Sequence, residues 1–178
     1  DVMAFKVAGA ADLDTFEKRI TDFGLAVDHV AAGEQPTVGR RIGFELPSGH
    51  RIELYAEMAR SDNGPITENP DIWRDDPHGM RALGFDHCLL YGPNVAEVTR
   101  FFTEVLDFGL VEKVQTPDGP IAVWLTSSTK SHEVAFVEHP EPGKFHHVSF
   151  LLESWNDVGH AADIISRYDI SRDVGPTR

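Results

Sequence analysis

Asp107-Phe108-Gly109-Leu110 repeats Asp22-Phe23-Gly24-Leu25 at a distance of 85 residues, and each copy closes a run with helical apolar periodicity. Before the first copy, Leu13, Phe16 and Ile20 recur at three- and four-residue steps, which predicts a helix from Asp12 as N-cap to about Asp22, stopped by Gly24. Before the second, Val98, Phe101, Phe102, Val105 and Leu106 form the same kind of face, and Asn94 and Glu97 are spaced as a capping box. Apolar runs of strand length flank both helices. They cover 2–8, 25–30, 40–46 and 51–55 around the first helix, and 83–91, 111–114, 121–125 and 132–137 around the second. The sequence therefore reads as two tandem copies of one strand, one helix and three strands. A third copy begins at 145–152 and continues into a helix opened by Ser154 and Asp157, with Val158, Ala161 and Ile165 inward. A further strand is predicted over 170–174.

Composition narrows the function. The 178 residues are 41% hydrophobic, enough for a core, and 16 Lys and Arg against 29 Asp and Glu leave a net charge of −13. No basic block is present to neutralise phosphates or lipid headgroups, so neither a nucleic acid nor a membrane is expected as a partner. The single cysteine, Cys88, excludes an internal disulfide framework, and no apolar run reaches the roughly 18 residues of a membrane span. A cytoplasmic protein is expected. The chain starts at Asp1 in what reads as a strand and stops at Gly175-Pro176-Thr177-Arg178 in turn material, so an internal piece of a longer chain is expected as well.

From Leu83 onward three of the apolar runs carry a histidine: His87 within Leu83–Tyr91, His132 within Ser131–Val137 and His147 within Phe145–Leu152. A strand turns successive side chains to opposite faces, so three such strands side by side would gather the three imidazoles on one face. Oxygen-activating iron(II) sites use two imidazoles and one carboxylate on one face of an octahedron, and His87 and His147 suit the two nitrogen positions. The competing reading is a hydrogen-bonded core or subunit-interface histidine. His146 shares a face with Val148 and Phe150, whereas His147 shares one with Ser149 and Leu151, so the neighbours leave open which of the pair points inward. Cys88 should face away from His87 as a core residue. His29, His50, His78, His139 and His160 fall in turns, exposed strand positions or a helix, where a solvated or ordinary hydrogen-bonding role is expected. No His-Glu-x-x-His helix and no paired cysteines occur, so zinc-hydrolase and zinc-finger readings have no support in the sequence.

Gly84–Tyr91, Ser128–Phe136, His146–Phe150 and Asp173–Arg178, in that order and at those separations, resemble consecutive blocks of the catechol 2,3-dioxygenase family. These are extradiol ring-cleaving enzymes of the vicinal oxygen chelate superfamily. The resemblance implies an α+β fold of the glyoxalase/bleomycin resistance/dioxygenase type, built from repeated βαβββ modules with curved mixed sheets. It implies that 1–59 is the second half of an amino-terminal domain, 60–82 a linker, and 83–178 part of a catalytic domain with one complete module and one truncated.

By the same resemblance, His87 and His147 are Fe(II) ligands and His132 is a catalytic histidine on the oxygen-binding side. The family's third ligand is a glutamate in a Pro-Ser-Gly-x-x-x-Glu segment of a later unit, and its acid-base histidine and substrate tyrosine also lie beyond Arg178. Pro47–Glu53 has that shape but sits in the domain that holds no iron, so Glu53 is read as a structural duplicate. The implied reaction is extradiol cleavage of catechol or a substituted catechol by dioxygen to a 2-hydroxymuconic semialdehyde, in a homotetramer. The isolated piece is expected to be impaired. The alternative is a non-catalytic aromatic-binding protein of the same fold.

Overall fold

The computed structural model describes residues 2–59 and 79–176. The first repeat runs β1 (Val2–Lys6), α1 (Ala10–Phe23), β2 (Val27–Val30), β3 (Arg41–Glu45) and β4 (Arg51–Tyr55). The second runs β5 (Gly84–Gly92), α2 (Val95–Glu104), β6 (Gly109–Thr116), β7 (Gly119–Thr126) and β8 (Val134–Glu138). β9 (Lys144–Leu151) and α3 (Trp155–Arg167) follow. Residues 60–78, most of the expected linker, lie outside the described residues. No helix among the described residues is long and apolar enough to cross a membrane.

Both repeats pair alike. β1 runs parallel to β4 and β5 parallel to β8, because a helix crossover brings the chain back in the same direction; the other three strands of each repeat form an antiparallel meander. The sheets are therefore mixed and the βαβββ expectation holds. The expected curvature does not. The strands form two open ladders, β1-β4-β3-β2 and β6-β7-β8-β5-β9. The pairing itself explains this: with the first strand docked beside the fourth, the second is left at the far edge, and no register returns it to the first.

Three local expectations are also corrected. The N-cap of α1 is Gly9, and Asp12 is its third residue, accepting the Gly9 N–H at 2.7 Å. Asn94 precedes α2 in a left-handed conformation (φ 66°) without capping it; its side chain donates to the Pro47 carbonyl, and the Glu138 carboxylate takes the Asn94 and Val95 N–H groups at 3.1 and 2.9 Å. A carboxylate there also meets the positive end of the helix dipole. The stretch 170–174 is not a strand: Ile170 and Val174 are exposed and no described strand offers it a ladder. At α3, by contrast, Ser154 and Asp157 form the expected capping box.

The described residues divide into two compact units, one of 2–59 with 87–147, the other of 79–86 with 148–176. In the first, both repeats share a single core. Phe101 of α2 packs its ring 5.1 Å from Phe23 and 5.3 Å from Phe44, and Phe5 of β1 lies 5.5 Å from Phe108 and 6.2 Å from Phe102. Phe44, Phe101, Phe102 and Phe136 are fully buried, each worth roughly 1.5–3 kcal/mol of burial. At the surface Arg19 of α1 grips Asp107 through two bonds of 2.7 Å and donates to the Glu104 carbonyl. In the other unit α3 is only half-buried along Val158, Ala161 and Ile165.

Candidate metal centre

Alternation in β5 sends Cys88 and Leu90 into the core and leaves His87, Leu89 and Tyr91 half-buried on the opposite face. β9 lies next to β5, and in it His147 is half-buried while His146 is exposed. The two inward imidazoles meet with their Nε2 atoms 3.2 Å apart. Two nitrogens bound at about 2.1 Å to one metal lie about 3.0 Å apart in adjacent octahedral positions and about 3.4 Å apart in a tetrahedron. The pair therefore fits two neighbouring positions around one ion.

His132 comes from the turn before β8, not from the strand, which starts at Val134. Its ring centroid lies 4.5 Å from that of His87. His146 approaches His147 from the other side, Nδ1 to Nδ1 at 2.6 Å. A proton on His147 Nδ1 in that bond leaves the lone pair on Nε2, the atom aimed at His87. Burial, then the fields of His146, His87 and His132, push the His147 imidazole below the usual histidine range. That favours the neutral form a metal needs.

No group of three His, Cys, Asp or Glu side chains able to hold a metal occurs among the described residues. Cys88 is out of play: it lies in the core, its Sγ 4.0 Å from Met3 Sδ, and burial pushes its thiol up to about 12. Glu53 is engaged in the first repeat, its Oε2 2.8 Å from Arg41 Nε and its Oε1 3.5 Å from Arg51. The Arg41 contact is an ion pair by distance, but Nε is not aimed well enough to count as a hydrogen bond, and Nε and Nη1 are buried without an aligned acceptor.

His50 was assigned a minor role from sequence, yet it is buried, with Ser48 fully so. Its Nε2–H donates to the Lys144 carbonyl at 2.9 Å, which leaves Nδ1 to accept the Ser48 hydroxyl, also at 2.9 Å. Desolvation holds its pKa below the usual histidine range. The signal was present in the sequence, because His50 shares parity with the core residues Ile52 and Leu54 of β4.

Residues 1–59 match the catechol 2,3-dioxygenase-like N-terminal domain, and residues 84–178 match the glyoxalase/bleomycin resistance protein/dioxygenase superfamily. The chain belongs to that superfamily. Among relatives in the superfamily, it is 47% identical over 180 residues to a metapyrocatechase of Pseudomonas sp. (strain CF600), covering 100% of this chain and 59% of the relative. It is 24% identical to a manganese-dependent 2,3-dihydroxybiphenyl 1,2-dioxygenase of Geobacillus genomosp. 3, covering 98% of this chain and 57% of that one. The crystal structure of the 2,3-dioxygenase LapB from Pseudomonas sp. KL28 superposes with a TM-score of 0.87 at 49% identity, covering 100% of this chain and 63% of LapB. The chain thus spans about six-tenths of the length of these superfamily members.

Proposed function

We propose that this chain carries part of an extradiol dioxygenase that opens catechol or a substituted catechol with dioxygen to a 2-hydroxymuconic semialdehyde, with Fe(II) held by His87 and His147. The single observation that carries this reading is the 3.2 Å between the two Nε2 atoms. The 47% identity to a metapyrocatechase supports the choice of reaction within the superfamily. In this reading 1–59 ends an amino-terminal domain, 60–82 links it, and 83–178 opens the catalytic domain of a cytoplasmic homotetramer.

Iron(II) bound there would supply a Lewis acid and a template for diol and oxygen. His87 and His147 would hold it through their Nε2 atoms, and His146 meets the Nδ1 of His147, which sets that ring's tautomer. His132, beside His87, offers an N–H to negative charge building on the oxygen side. With no third ligand among the described residues, the chain by itself is expected to bind iron weakly and turn over slowly.

The test is anaerobic loading with Fe(II), metal analysis, and oxygen uptake with catechol. Weakly held iron that is lost in His87→Ala and in His147→Ala, with slow oxygen uptake, is the expected result. Catechol binding with no oxygen uptake under any metal load would replace the enzyme by an aromatic-binding protein of the same fold. Iron binding indifferent to both substitutions would end the assignment of ligands.

A further inference from the structure

We infer that His50, a residue of the first repeat, is a positioning residue for His147: by holding the start of β9 it sets which of two adjacent histidines faces His87. This rests on the reading of His147 as a metal ligand. β9 ends the sheet order, so among the described residues its ladder has a partner on one side only. Its residues are exposed except His147 and Ser149, so little apolar burial tells one register from the next. A slip by one residue turns every side chain of a strand to the other face. In β9 that slip would replace His147 by His146 or Val148 opposite His87.

Leu83 N–H donates to the Leu151 carbonyl at the far end of β9, and the tie nearer His147 is at the strand's first residue. His50 Nε2–H donates to the Lys144 carbonyl and Gly143 N–H donates to the Ser48 carbonyl, both at 2.9 Å. The two turns also interlock without room for side chains. A Cβ on Gly49 would stand 2.5 Å from Pro142 Cβ, and one on Gly143 would stand 2.9 Å from the Gly49 oxygen, while both glycines have positive φ (81° and 69°). Lys144 is three residues, roughly 10 Å of strand, from His147. That is close enough for a fixed end to dictate register. The tautomer of His50 is determined by its partners: a carbonyl can only accept, so Nε2 carries the proton and the Ser48 hydroxyl serves Nδ1.

The experiment compares His50→Phe, which fills the ring's space without a donor, with His50→Gln, which restores an N–H near the position of Nε2. Two measurements are made on the whole chain: amide hydrogen exchange over 144–147 without metal, and titration with Co(II) followed by its visible spectrum. Faster exchange at 144–147 and roughly 10- to 100-fold weaker Co(II) binding in His50→Phe, both largely restored in His50→Gln, are expected. Ser48→Ala, which loses one hydroxyl bond to the ring, should weaken Co(II) about 2- to 10-fold and serves if His50→Phe does not fold.

Co(II) binding and exchange unchanged in His50→Phe would overturn the inference. So would a uniform rise in exchange over the whole chain that His50→Gln fails to correct, since that marks a residue acting on stability alone. A His147→Ala control separates the two readings. If it binds Co(II) as well as the parent chain does, the metal assignment falls, while exchange at 144–147 still decides whether His50 holds β9.

Discussion

The two repeats place the same ladder under different chemistry. Phe5 pairs with Leu54 in the first and Leu90 with Phe136 in the second. Three residues before Phe5 stands Val2, where the second repeat has His87; four before Leu54 stands His50, where the second has His132. In the second repeat the face opposite the core gathers imidazoles. In the first, the same face carries Asp28, Arg51, Glu53 and Arg41, paired in a row across β2, β3 and β4, with Arg51 lying over Gly43, which has no side chain to obstruct it. The same ladder thus carries either set of side chains. The first repeat satisfies its carboxylate with guanidinium groups of its own, whereas the second turns His87 toward His147 and His132, the nitrogens that we propose for an external cation.

The sharpest way to break the comparison is through what the repeats share. Phe101 of the second repeat packs on Phe23 and Phe44 of the first, so Phe101→Ala should lower the stability of both together by about 3–5 kcal/mol. Urea unfolding followed by circular dichroism should show one transition moved to lower urea. Two separated transitions would mean that the repeats have independent cores.

Next in size is the ion pair. Arg41 and Glu53 are 8% and 13% exposed, so Arg41→Met leaves a nearly buried carboxylate with only the more distant Arg51, 3.5 Å away, at a cost of about 3 kcal/mol at most. Arg41→Met with Glu53→Met should cost less than Arg41→Met alone, because no orphaned charge remains. If the double variant is the worse of the two, the pair is a source of stability in its own right and not an internal substitute for a metal.

On the other face of the comparison, His147→Ala should weaken Co(II) binding by about 100-fold or more, and His146→Ala, which removes only the Nδ1 partner, by about 10-fold. Equal losses would mean that both histidines bind metal.

How much of this was legible follows from what each feature depends on. The repeats were, because helical periodicity and a shared tetrapeptide are local. So was the inward aim of His87, fixed by its parity against Cys88 and Leu90. The choice between His146 and His147 was not, since β9 has no clear apolar face and takes its register from contacts with Ser48 and His50, more than ninety positions away. Asn94 reads as a cap because the carboxylate that does the capping, Glu138, lies 44 residues on. Curvature failed for another reason: alternation records which face a residue occupies, and nothing about how the strands bend together.

The smallest effect tests the surface tie between the repeats. Asp107 is the first residue of the second tetrapeptide, and its carboxylate is held below the usual range first by the hydrogen bonds from Arg19 and then by that residue's charge. A carboxylate whose folded pKa is depressed contributes stability above its unfolded value, near 4, and loses it as pH falls through the lower folded value. Asp107 is 71% exposed, so solvent screening holds the contribution to about 0.5 kcal/mol. Asp107→Asn keeps a residue that tolerates the left-handed backbone found there (φ 59°), so the comparison leaves the backbone unstrained and removes the ionised carboxylate with one of its two acceptors. Urea midpoints of the two proteins should differ slightly at pH 7 and converge in acid, once pH has fallen through the lowered folded value and the carboxylate is protonated. A gap that persists in acid, where the carboxyl and the amide each keep one carbonyl acceptor, would assign the effect to something other than the ionised carboxylate.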